Sequence, residues 1–222
     1  MKALTKKDFL LPATLLALSA VPMAGGVARL LSFAAPVTPE SERFVVAPAP
    51  VVVHIISVAL YCLLGAFQFS SAFRQRWPLW HRRAGKAIAL AGISSALSGI
   101  WMAQFYAIPG AMQGPLVYVV RLMVGAAMVT AIMIAWRSIL RRDIARHEAW
   151  MIRAYALGQG AGTQVFVLLP VILIHGECVG LTRDLLMTLA WAINIVFAEW
   201  IIRRSTKPRT KAPDFTLAPS RA

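Results

Sequence analysis

Six stretches of the chain are almost continuously apolar for about 18 residues or more, and short segments crowded with Arg, Lys, Glu and Pro separate them. Such runs match the ~30 Å hydrocarbon core of a bilayer at ~1.5 Å per helical residue. The pattern predicts helices over 9–33, 48–73, 79–106, 115–138, 149–175 and 183–202. The expected fold is all-α, a polytopic membrane helix bundle of about six transmembrane helices forming one domain over residues 1–204. The remaining residues, 205–222, are basic and rich in Pro and Thr, and they read as a disordered tail. The first run follows Lys2, Lys6 and Lys7 and has small residues at Ala24 and Gly25, which also fits a signal peptide. Its length, Pro12 and Pro22, and its apolar continuation through Leu30 and Leu31 favour a retained helix. No motif recurs in both halves, so an inverted-repeat transporter gains no support.

Composition excludes the soluble alternatives. The 222 residues are 59% hydrophobic and 14% charged, whereas soluble domains run near ~45–50% apolar and ~25% charged. The formal net charge is +14, and 19 of the 23 Lys and Arg fall at alternate ends of the runs, together with both chain termini. Basic residues mark the cytoplasmic side, so both termini are expected in the cytoplasm and the protein in a bacterial inner (plasma) membrane, multi-pass. Arg29, Arg43, Arg121 and Arg183 are left on the outer side. Trp77, Trp80, Trp136, Trp150 and Trp200 cluster at the inner ends as an interfacial belt. Topology and attraction to anionic lipid account for the basic surface, and no nucleic-acid partner is expected. Cys62 and Cys178 lie too far apart in depth to pair.

Polar side chains inside the runs are the candidate chemistry, because they are costly in hydrocarbon and face the bundle interior. Steps of three or four residues align His54, Ser57, Tyr61, Gly65 and Gln68 on one face, and His81, Gly85, Ile88, Gly92, Ser95 and Gly99 on another. His147, Ala154, Gly158 and Ala161 form a third face. Such small residues admit either a close helix neighbour or a flat cofactor. The histidines divide by depth into an inner pair, His81 and His147, and an outer pair, His54 and His175. Met123 or Met128 is an alternative partner for His54. Neutral imidazole is a ready axial ligand for haem iron, and two layers of histidine suit a transmembrane electron path; an interfacial anchor is the bland alternative. Arg153, about two turns into its run, either snorkels or neutralises an anion such as a haem propionate, with Arg82 nearby, and Glu199 offers it a structural partner. An unpartnered charge there costs ~2.5–3.5 kcal/mol on insertion scales. There is no H-E-x-x-H or C-x-x-C motif, and His175-Gly-Glu-Cys178 lacks a third ligand.

Gly65-Ala-Phe-Gln68-Phe69, His81-Arg82-x-x-Gly85 and His147-x-x-Trp150-Met151-x-Arg153 resemble the bacterial multi-pass family known as domain of unknown function 2306, over about His54 to Ala161. The resemblance implies a fold and a set of shared positions, with no assigned activity. The layered histidines are more loosely similar to cytochrome b561-like membrane cytochromes, but here one helix carries both His147 and His175 and the fourth carries none. Two functions lead, ahead of a membrane enzyme or assembly factor of another kind, including a hydrolase. One is a b-type haem protein moving electrons from a quinol or similar donor, using His81, His147, His54, His175, Arg153, Arg82 and Gln68, with haem iron on His81 and His147. The other is a non-redox bundle that binds or transports a small molecule or lipid through Gln68, Gln104, Gln159, Gln164 and Arg153. The expected partners are the bilayer, a quinone or redox protein, and a second copy of the chain.

The orientation is open to test by cysteine accessibility. Single cysteines at Glu42 and Glu177, in a background lacking Cys62 and Cys178, are expected to label from outside the cell. Labelling only from the cytoplasmic side overturns the assignment.

Overall fold

The computed structural model describes residues 4–205, and every regular element among them is helical. They are α1 (Lys6–Leu31), a 3-10 turn at Ser32–Ala34, α2 (Glu42–Val46), α3 (Pro48–Gln68), α4 (Ser71–Arg76), α5 (Pro78–Phe105), α6 (Pro115–Leu140), α7 (Ile144–Gly158), α8 (Gly160–His175) and α9 (Gly180–Ser205). Pro48, Pro78 and Pro115 open α3, α5 and α6, where a missing N–H is harmless and the fixed φ suits the first turn. Five helices, α1, α3, α5, α6 and α9, are long and apolar enough to cross a bilayer, and α7 with α8 makes a sixth if the bent pair is one span. Apart from Ser205, the expected disordered tail lies outside the described residues. Below, "inner" names the end of the bundle where α1 starts and "outer" the opposite end.

Two of the expected helices are broken. The run 48–73 ends as α3 at Gln68, and Ser70 then caps the separate α4 by accepting the N–H of Phe73 while donating to the carbonyl of Asp8 at 3.3 Å. This ties the inner ends of α1, α3 and α4 together, with Phe9 edge-on to Phe73. The run 149–175 starts earlier, at Ile144, because Asp143 accepts the N–H of Arg146 at 3.0 Å as a cap. It then breaks at Gln159 with a bend of 41°. Helix ends at membrane depth must find partners inside the protein, and α9 supplies one: Asn194 Nδ2 donates to the carbonyl of Ala156 at 3.0 Å, while Thr163 donates to Asn194 Oδ1 at 2.7 Å. From α1, Ser19 donates to Gln159 Oε1 at 3.0 Å.

The bend gives the two halves of the bundle different cross-sections. α1 packs on α3, α3 on α5, α5 on α6, α6 on α9, α9 on α8 and α8 back on α1, which closes a ring. In the inner half α7 fills that ring by packing on α6, α9 and α3. Its Tyr155 and the Tyr61 of α3 lie 5.4 Å apart, centroid to centroid, and Tyr155 donates to the carbonyl of Cys62. A methyl group on Gly92 would come within 2.6 Å of the Tyr61 ring, and one on Gly158 within 2.7 Å. The small-residue faces of the inner half therefore admit tyrosine rings. Cys62 and Cys178 are both free and buried.

At the outer end the lock between α6 and α9 is a single carboxylate. Asp184, 1% exposed, accepts the N–H groups of Gly114 and Val117 at 3.1 and 3.0 Å, so a residue of α9 caps α6. Asp184→Ala leaves the buried N–H of Val117 and the half-buried N–H of Gly114 unpaired and is expected to cost about 1–3 kcal/mol. Thermal unfolding in detergent checks this: a clearly lowered midpoint is expected, with a smaller loss for Asp184→Asn, whose amide oxygen still accepts. An unchanged midpoint for Asp184→Ala rejects the lock.

Candidate functional site

In the outer half nothing plays the part of α7, and a cavity of about 580 Å³ opens along the bundle axis. All of the ring helices contribute to its wall, largely with apolar side chains such as Val58, Ala96, Met128 and Trp191, and Leu157 at the end of α7 borders it from below. Its polar groups are few. His54 rests against Gly99, and its Nδ1 contacts the carbonyl of Ser95 at 2.9 Å and the hydroxyl of Ser98 at 3.1 Å. A carbonyl only accepts, so Nδ1 carries the proton and Nε2 keeps its lone pair. Gln164, 9% exposed, also lines the cavity, and its Nε2 has no hydrogen-bond partner.

Arg29, Arg43, Arg121 and Arg183, the four arginines expected at the outer side, all line this one cavity. Arg29 and Arg43 both stack on the Phe44 ring, with guanidinium carbons 4.3 and 4.7 Å from its centroid. Arg121 donates to Gln113 Oε1, and Arg183 donates to the carbonyl of Met112 at 3.4 Å. Arg43 donates to the carbonyl of Ala107, Arg29 to the hydroxyl of Ser32, and the Nε of Arg43 is buried without a partner. None of the four forms an ion pair with a carboxylate among the described residues.

The inner end gathers Gln68, His81 and His147. Gln68 lies beside Gly85, one turn along α5 from His81, and His81 is within electrostatic reach of His147 and Arg74. His147 Nδ1 donates to the carbonyl of Ala135 at 2.9 Å, a contact that fixes the tautomer and turns the Nε2 lone pair away from α6. Gln68 Nε2 and His81 Nδ1 are buried without partners. An ion pair at 3.9 Å between Arg74 and Glu148 ties α4 to α7 beside them.

The structure thus brings His81, His147 and Gln68 to one end and sets His54 apart in the outer cavity. His175 is exposed at the end of α8 and does not line that cavity, and Arg82 and Gln104 are also exposed. Of the two methionines weighed as partners of His54, Met128 lines the same cavity and Met123 is 64% exposed. Arg153 grips Glu199 through two bonds, Nε to Oε1 at 2.6 Å and Nη2 to Oε2 at 3.0 Å, and stacks on Trp150. Glu199 is the structural partner the sequence offered. Gln159 belongs to the helix break. Among the described residues no three or more His, Cys, Asp and Glu side chains converge as a metal-binding group. Sequence reasoning missed Asn194, Thr163 and the convergence of the outer arginines on one cavity. The polarity of Asn194 and Thr163 within apolar runs was the available signal.

The family described as predicted membrane protein (DUF2306) matches residues 51–202, more than half of the chain. No curated protein and no solved structure matches.

Proposed function

The chain belongs to this family of predicted membrane proteins, and we propose that it binds an amphiphilic small molecule or lipid inside the bilayer, in the cavity of its outer half. The observation that carries this reading is the change of cross-section at Gln159, which leaves about 580 Å³ open on the bundle axis while the inner half is filled by Tyr61 and Tyr155. Small-molecule sites are typically ~300–1,000 Å³, mostly apolar, with a few placed polar groups. Here the placed groups are His54, Gln164 and the arginine rim. His54 offers an acceptor at Nε2 and Gln164 a donor at Nε2, so a ligand with both hydrogen-bonding capacities in its buried part is favoured. Bound or carried, the ligand moves no electrons in this reading.

Ala161 is exposed and lines the cavity, so Ala161→Phe fills space there without disturbing the tyrosine core. Native mass spectrometry of protein released from bacterial-lipid nanodiscs is expected to show a retained amphiphile on the parent and its loss from Ala161→Phe, at equal size-exclusion behaviour. Equal retention by both proteins, or bare protein in both cases, overturns the reading.

A second reading is favoured by the fixed tautomer of His147: the inner end binds a b haem, with His81 and His147 as axial ligands. A ligating histidine characteristically donates its other N–H to a carbonyl, as His147 does to Ala135. The buried, unpartnered Nδ1 of His81 is consistent with a ligand that completes the site. Against it stand the tyrosine-filled small-residue faces and Arg153, already engaged by Glu199 and so withdrawn from a propionate. When bound, a haem supplies one-electron chemistry, with a quinol or similar donor and a redox partner as its exchange partners. This reading expects a low-spin haem spectrum from protein purified after haem supplementation, lost in both His81→Ala and His147→Ala. A colourless parent, or a folded variant that keeps the unaltered spectrum, overturns it.

A further inference from the structure

The outer cavity presents an electrostatic imbalance that the protein itself does not resolve. Four guanidinium groups border one space of low polarity, and their polar partners among the described residues are neutral: a hydroxyl, two backbone carbonyls and one side-chain amide. Of the carboxylates at the same end, Glu42 and Glu177 are exposed and form no ion pair with these arginines, and the other two are engaged elsewhere. Asp184 is within electrostatic reach of Arg121, but its two oxygens cap α6. Glu40 acts on Arg43 only through space, and its carboxyl is held below the ordinary carboxylate range by its own backbone N–H and the Thr38 hydroxyl. Burial, and then the charge of Arg29, push the guanidinium of Arg43 below its ordinary value. Like charges gathered at a low-dielectric wall without counter-ions are unfavourable, and an anion among them relieves both the crowding and the unpartnered Nε of Arg43.

Resting on the reading that the cavity binds an amphiphile, we propose that its ligand is an anionic amphiphile, whose oxyanion headgroup is gripped by Arg29, Arg43, Arg121 and Arg183 and whose apolar body reaches down past His54. The arrangement has the geometry this requires. The arginines come from four different elements, α1, α2, α6 and α9, so they surround a headgroup from several sides, and planar guanidinium forks match phosphate and carboxylate oxygens in pairs. Beneath them the wall is apolar as far as Met128, Leu157 and Gly158, where Tyr61 closes it. Gln164, nine-tenths buried with an unpartnered donor on the cavity wall, offers a further hydrogen bond partway down. Phosphate and carboxylate share the oxyanion chemistry and differ in charge, so a phosphomonoester lipid and a free fatty acid are the two sources to separate.

The test uses the full-length protein in detergent and three probes that each carry one oleoyl chain: oleoyl lysophosphatidic acid, oleic acid and monooleoylglycerol. Binding is followed by native mass spectrometry and thermal shift. The inference expects at least one acidic probe to bind about ten-fold or more tightly than the neutral one, an advantage that shrinks as NaCl is raised. Arg43→Gln and Arg121→Gln should each reduce this advantage of the acidic probe over the neutral one several-fold, and Ala161→Phe should exclude all three. Which acidic probe is preferred identifies the headgroup. The salt series needs no variant and keeps the inference testable if an arginine substitution fails to fold. Equal binding of all three probes, blocked by Ala161→Phe, overturns the anionic headgroup and leaves the amphiphile site standing. Binding of every probe unaffected by Ala161→Phe removes the cavity reading and the headgroup with it.

Discussion

The arrangement of this bundle turns on the interruption of one span at Gln159. A continuous helix from Ile144 to His175 would run along a single line and pack against the same neighbours at both depths. The 41° bend instead directs α7 into the middle of the ring and α8 into its wall between α9 and α1. A break at membrane depth survives only where its backbone groups are satisfied inside the protein. Asn194 meets that need from α9 by donating to Ala156 and accepting from Thr163, and Ser19 fixes Gln159 from α1. Glycine on either side of Gln159 serves close approach: Gly158 lies against Tyr61 and Gly160 against the indole of Trp191. Dense inner packing and an open outer half are thus two consequences of one kink with identifiable causes.

The two ends also differ in how they treat charge. Two inner arginines meet carboxylates, Arg153 with Glu199 and Arg74 with Glu148. These bonds join α7 to α9 and to α4, so they bear on the position of the inserted helix. At the outer end the buried carboxylate serves the backbone: Asp184 stabilises the first turn of α6, and nearby Arg121 turns to an amide oxygen. A helix N-terminus carries partial positive charge, so placing the carboxylate there neutralises backbone and leaves the side-chain cations facing the cavity.

The histidines show why a residue's type does not determine its role. His54, His81 and His147 each head a face of small or polar residues in the sequence, yet their surroundings differ. His54 borders open volume, with its tautomer set by Ser95. His147 is tied to Ala135, and His81 keeps a buried nitrogen without a partner. His175 stands apart at an exposed helix end. The faces that looked alike were resolved by what packs on them: a tyrosine on Gly65, Gly92 and Gly158, and an imidazole on Gly99.

Hydropathy determined by itself that the chain is a membrane bundle and where most of its spans lie to within a few residues. These are properties of each segment against its solvent, and a bilayer imposes them on every apolar run independently of its neighbours. The motifs around Gln68, His81, Gly85, His147 and Arg153 likewise placed the chain in its family without coordinates. Only the tertiary structure decided that one span breaks at Gln159, that Arg153 grips Glu199, and that Arg29, Arg43, Arg121 and Arg183, up to 154 positions apart in the chain, border a single cavity. Convergence of that kind depends on which helix faces which and on whether a side chain or open space lies between them, and the period of any one helix carries no record of its neighbours.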